Sequence, residues 1–179
     1  MRTDMKTLHL AVLSLSLLVA QSGLAAPSAD LQKIMTPQAS ATNAEANAYL
    51  FVSTTMNDGQ LINLARQARN HGFTVVLNGF GSNDAETQKR ILNVNSACCD
   101  KSGPEWIVYP QAFRAFKVTA VPAFVIAKGL SGSPDTFSKV TGAMTIPEAL
   151  GIFANKSALP FVRAIANKKY HNAIPNSKN

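Results

Sequence analysis

The residues best equipped for covalent chemistry in this chain of 179 amino acids are its two cysteines, Cys98 and Cys99, and they are neighbours. Consecutive Cα atoms lie about 3.8 Å apart across a trans peptide and about 2.9 Å across a cis one. An ordinary disulfide spans roughly 4.4–6.8 Å between Cα atoms. The mismatch favours free thiols in a loop, or bonds to another chain, over a vicinal disulfide acting as a redox sensor. Histidine adds little. His9 falls in an N-terminal apolar segment, His71 follows a helical pattern whose C-terminal end favours a cation, and His171 lies near the end of the chain. Neither His71 nor His171 has a carboxylate cluster beside it, so no metal site is expected. No Gly-x-Ser-x-Gly elbow occurs, and Gly79-Phe80-Gly81 lacks the third glycine of a dinucleotide fingerprint. By residue type the chemistry is thiol chemistry or none, and no cofactor is expected.

A proline adds the strongest conformational signal. Pro122 stands directly before the apolar run Ala123-Phe124-Val125-Ile126. Lacking an N–H, it removes a ladder donor, and a sheet accepts it only at an edge, a bulge or a strand start. X-Pro bonds are also where cis peptides occur, the trans form being preferred by only about 0.5–1 kcal/mol. A cis Val121–Pro122 bond closing the strand that starts at Ala123 is the expectation.

The elements that must position these residues alternate along the chain. Tyr49-Leu50-Phe51-Val52-Ser53 has the pattern of a short buried strand. Asn57 or Asp58 can cap a helix in which Leu61, Leu64, Ala65 and Ala68 share one face, and Gly72 stops it. Phe73 to Leu77 is a second strand, rich in β-branched residues. Asn83 and Glu86 form a capping-box signature for a helix from Asp84 to about Asn93. A loop from Asn95 to Pro104 then carries both cysteines. Trp106 to Tyr109 is a third strand, followed by a short helix with Ala112, Phe113 and Phe116 on one face. After the Ala123–Ile126 strand, Gly129 to Pro134 turns the chain into a return strand over Thr136–Thr141. Pro147 suits the first turn of a closing helix. The order β-α-β-α-β-α-β-β-α predicts an α/β fold with a central mixed sheet flanked by helices.

Composition bounds the address. Arg2 and Lys6 precede the apolar run Leu8–Ala20, and small residues follow it, the pattern of a secretory signal cleaved between Ala25 and Ala26. The run is short of the roughly 20 residues a membrane span needs, so no stable span is expected once the signal is removed. The expected organisation is a signal peptide over 1–25, a polar leader over 26–48, one domain over 49–160 and a basic tail over 161–179. The formal charge of +7 is scattered, with Lys168-Lys169 the sole Lys-Lys pair, which argues against direct nucleic-acid binding.

The run Val118-Thr119-Ala120-Val121-Pro122-Ala123-Phe124 resembles the cis-proline element of thioredoxin-like domains. In such domains a Cys-x-x-Cys pair follows the first strand, where the helix N-terminus stabilises a thiolate. Here that place reads Thr55-Met56-Asn57-Asp58-Gly59, without cysteine. An exported thioredoxin-like domain lacking the dithiol resembles the F-type conjugative pilin assembly family known as TrbC. The resemblance runs from Tyr49 to about Phe153 and is most specific over Trp106–Val125: a strand, Pro110-Gln111-Ala112-Phe113-Arg114-Ala115-Phe116, then Val121-Pro122-Ala123-Phe124-Val125. It implies a non-enzymatic assembly factor in the periplasm of a Gram-negative bacterium, serving a conjugative pilus or type IV secretion channel. It further implies other envelope proteins of that apparatus as partners, TraW among them. By position, Met56, Asn57, Asp58, Val121 and Pro122 would line the former active-site groove and bind protein there. The rival is an envelope thiol-disulfide oxidoreductase or isomerase using Cys98 and Cys99.

Overall fold

The computed structural model describes residues 45–79, 84–99 and 102–172. The expected signal peptide with its Ala25/Ala26 cleavage site, most of the leader, and the Asn83 cap lie outside the described residues.

Strand β1 (Ala46–Val52) leads into helix α1 (Asp58–His71). Asn57 is the cap, its side chain accepting from the Gln60 N–H at 2.9 Å. Leu61, Leu64, Ala65 and Ala68 are the buried face, and Gly72, at φ 62°, ends the helix in the left-handed region open to glycine. Then follow β2 (Thr74–Leu77), α2 (Asp84–Cys99), β3 (Trp106–Val108), α3 (Pro110–Ala115), β4 (Ala123–Lys128), β5 (Phe137–Thr141), α4 (Ile146–Lys156) and α5 (Pro160–Asn172).

The strands form one five-stranded sheet in the order β3-β2-β1-β4-β5. β1 pairs in parallel with β2, and β2 with β3, whereas β4 runs antiparallel to both β1 and β5. The first two crossovers advance in one direction across the sheet. Right-handed connection therefore puts α1 and α2 on the same face, and α3 packs on the other, where Ala112 and Phe116 meet Tyr49 and Phe51.

Alternation along β1 feeds two cores. Leu50 and Val52 join α1, α2, α4 and α5 in the larger cluster. Tyr49 and Phe51 face the short α3, where Phe51 meets Phe113 edge-on at 4.8 Å between ring centroids and Phe116 meets Phe137 at 4.9 Å. Large aromatic side chains let a six-residue helix cover this face. Burying one such side chain contributes about 1.5–3 kcal/mol.

Three expectations are corrected. Helix α2 continues through Cys98 and Cys99, which close it instead of sitting in a loop. Val94, Cys98 and Cys99 are buried there, and tertiary burial outweighs the weak helix propensity of Asn95 and Ser96. Residues 160–172 form α5, with Val162 and Ala166 in the core, so the domain continues past the expected boundary at 160. Lys169 ties this helix to the end of α1: its ammonium donates to the carbonyls of His71 at 3.2 Å and Gly72 at 2.6 Å. At the other end the sheet begins at Ala46, because Ala46 to Ala48 pair with Lys128 to Ile126.

Candidate protein-binding groove

The turn between β1 and α1 is built by its own small polar residues and then clamped from outside. The Ser53 hydroxyl lies 2.8 Å from that of Thr55 and accepts the Thr55 N–H, and the Ser53 carbonyl accepts the Met56 N–H at 3.2 Å. Arg90 of α2 supplies the clamp. Its guanidinium donates to the carbonyls of Thr54 and Met56 and pairs with the Asp58 carboxylate at 2.6 Å. One planar cation with several donors thus holds both sides of the turn, a task that suits arginine better than lysine. No local pattern marks Arg90 for this role, because its acceptors lie 32 to 36 residues upstream.

Across from this turn is the loop before β4, in which the Val121–Pro122 peptide is cis. The Pro122 carbonyl accepts the Gly142 N–H at 3.1 Å, which joins the loop to the end of β5. Val121 packs against the same apolar cluster to which Met56 belongs. Among the residues expected to line the groove, Asn57 and Asp58 are exposed, Val121 is half-buried, and Met56 and Pro122 are buried. Phe124 is wholly buried and belongs to the core. Of the region expected to form the groove, the polar start of α1 and the loop through Ala120 and Val121 are the accessible parts.

The cysteines lie elsewhere. Cys98 and Cys99 are bonded to each other, with a Cα separation of 3.7 Å. The expectation of free or intermolecular thiols is corrected by this geometry and by burial: at 9 % and 3 % exposure in the larger core, neither sulfur is presented to another chain. Arg66 of α1 donates to the carbonyls of Cys98 at 3.2 Å and Ala97 at 3.5 Å, a cation at the negative end of α2. Just before the pair, Asn95 accepts the Trp106 indole N–H at 2.8 Å. Eight residues separate Arg90 from Cys98 along α2, about 12 Å of helix. The thiols do not stand in for a dithiol at the start of α1.

A mixed sheet with this connectivity, helices on both faces and a cis-proline loop opposite the first helix define a thioredoxin-like domain, here with a clamped turn in the dithiol position. The chain belongs to the family of type-F conjugative transfer system pilin assembly proteins: that family's model matches residues 50–153, more than half of the chain. No curated protein matches it. Among the described residues no helix is long and apolar enough to cross a membrane, and no group of three or more potential metal ligands occurs.

Proposed function

We propose that the protein acts in the periplasm as a non-enzymatic scaffold in pilin assembly, and that it holds an extended segment of another envelope protein of the transfer apparatus. The carrying observation is the Arg90 clamp on the turn that replaces a dithiol. A turn held this way presents a fixed backbone at low ordering cost on binding. Val121 lies just ahead of the β4–β5 ladder, which begins at the Ala123–Thr141 pair, and this position supports pairing of its main-chain groups with an added strand. Each main-chain hydrogen bond so formed contributes about 0.5–1.5 kcal/mol net. TraW is the first partner to test.

Met56 is buried in the core, so a charge there would disturb folding as well as binding. The informative variant is Ala120→Trp, at an exposed residue beside Val121. It is expected to lower co-purification of the partner from the envelope of a conjugating donor, and mating efficiency with it, at unchanged melting temperature. Undiminished recovery with Ala120→Trp, together with loss of the partner on Lys168→Glu, would move the contact to α5. Turnover of a disulfide substrate by the purified protein would instead favour the oxidoreductase reading.

A further inference from the structure

Helix α4 turns a stripe of Glu148, Gly151, Ile152, Asn155 and Lys156 outward, at i, i+3, i+4, i+7 and i+8 spacing, and this stripe lines an open cleft. A second cleft shares Glu148, Gly151 and Asn155 and is bounded by Tyr170 of α5. Ile152 and Tyr170, at 38 % and 44 % exposure, are large apolar side chains left to solvent on this side of the molecule.

Gly151 is the odd member. It sits in the middle of a helix that is otherwise firmly specified, with a Thr145/Glu148 capping box and a proline in the first turn. Glycine in a helix interior is destabilising relative to alanine. A Cβ built at Gly151 meets nothing within 4 Å, so packing inside the domain does not call for glycine there. The missing side chain leaves a hollow on the open side of the helix.

We infer that this face of α4 is a self-association surface, and that its occupant is the same face of a second copy, crossing antiparallel about a two-fold axis near the Gly151–Ile152 step. The stripe is its own complement. An axis at that step sets Ile152 of each copy over the hollow at Gly151 of the other. It also sets the Glu148 carboxylate of each against Asn155 and the Lys156 ammonium of the other. Every contact then occurs twice, as an isologous interface requires. Bonds from the Thr145 backbone N–H and hydroxyl hold the Glu148 carboxyl below the usual carboxylate range, so the anion persists at neutral pH. One helix face with its flanking residues is smaller than the roughly 800 Å² per partner of a standard stable interface, so a micromolar, reversible dimer is expected.

Sedimentation velocity over a micromolar-to-millimolar concentration series tests this. The wild type should pass from monomer to dimer, and Ile152→Asp should remain monomeric. Lys156→Glu, which sets like charges against each other twice, should raise the dissociation constant about tenfold. Gly151→Leu should keep or improve the melting temperature while abolishing the dimer. Ile152→Cys should be joined to a covalent dimer by a short bismaleimide, since Cys98 and Cys99 are bonded to each other. A wild type that stays monomeric throughout, or a dimer that survives both Ile152→Asp and Lys156→Glu, overturns the inference. Ala120→Trp should leave dimerisation unchanged, which separates this surface from the groove.

Discussion

The two ends of the α1–α2 helix pair invite comparison. At the start of α1 the fold offers a helix N-terminus and a neighbouring cis-proline loop, a setting suited to a reactive thiolate, and the chain places Thr55, Met56, Asn57 and Asp58 there. At the end of α2 it places both cysteines, bonded to each other, buried, and beside the negative end of the helix. Each site is held by an arginine from the facing helix: Arg90 of α2 grips the turn before α1, and Arg66 of α1 grips the last carbonyls of α2. Position on the fold and chemical equipment have been separated. The setting that could activate a thiol has none, and the thiols sit where a helix dipole opposes a thiolate.

The sharpest way to break this comparison is to remove the clamp. Arg90→Ala leaves two carbonyls and the Asp58 carboxylate without their shared donor, and a loss of about 2–3 kcal/mol is expected from charge-assisted bonds at a half-buried site. Arg90→Lys should recover only part of it, because one ammonium cannot reproduce the guanidinium fork. Urea unfolding of both variants checks this, and equal stability of Arg90→Ala and wild type would show the turn to be self-supporting.

The other end has a steric counterpart. A Cβ at Gly103 would lie 2.4 Å from Oδ1 of Asn95, the acceptor of the Trp106 indole N–H. Gly103→Ala should displace that side chain and lower stability by about 1–2 kcal/mol, one half-buried hydrogen bond plus local repacking. Near-ultraviolet circular dichroism of Trp106 should change in the same variant. Asn57→Ala comes next, with a loss of about 1 kcal/mol for the missing cap. Thermal unfolding checks this: Asn57→Ala should melt below wild type, whereas Asn57→Asp, which keeps a capping oxygen, should retain wild-type stability.

The smallest expected effect is the most telling for function. Purified wild type should reduce insulin at the background rate, and Cys98→Ser with Cys99→Ser should leave that rate unchanged. The buried pair is out of reach of a protein substrate, and the start of α1 carries no sulfur nucleophile. Turnover that the double variant loses would restore the oxidoreductase reading.

Much of the fold was legible because its signals are local. The alternation in β1, the apolar face of α1 and the Pro147 helix start need only neighbours to be read. So does the apolar run behind Pro122. The misread places share one cause. The length of α2 depends on what buries Val94, Cys98 and Cys99, and the course of residues 160–172 depends on Lys169 finding the end of α1. The burial of Met56 likewise comes from elements far along the chain.

The sequence by itself determined the α/β order, the absence of a dithiol after the first strand and the family, since each rests on residue identity and short-range period. Only the tertiary structure decided that Arg90 grips a turn more than thirty residues upstream, that the adjacent cysteines pair with each other inside the core, and that Gly151 faces open space. Those outcomes depend on which distant groups meet, and in what environment. Residue spacing along the chain carries no record of that.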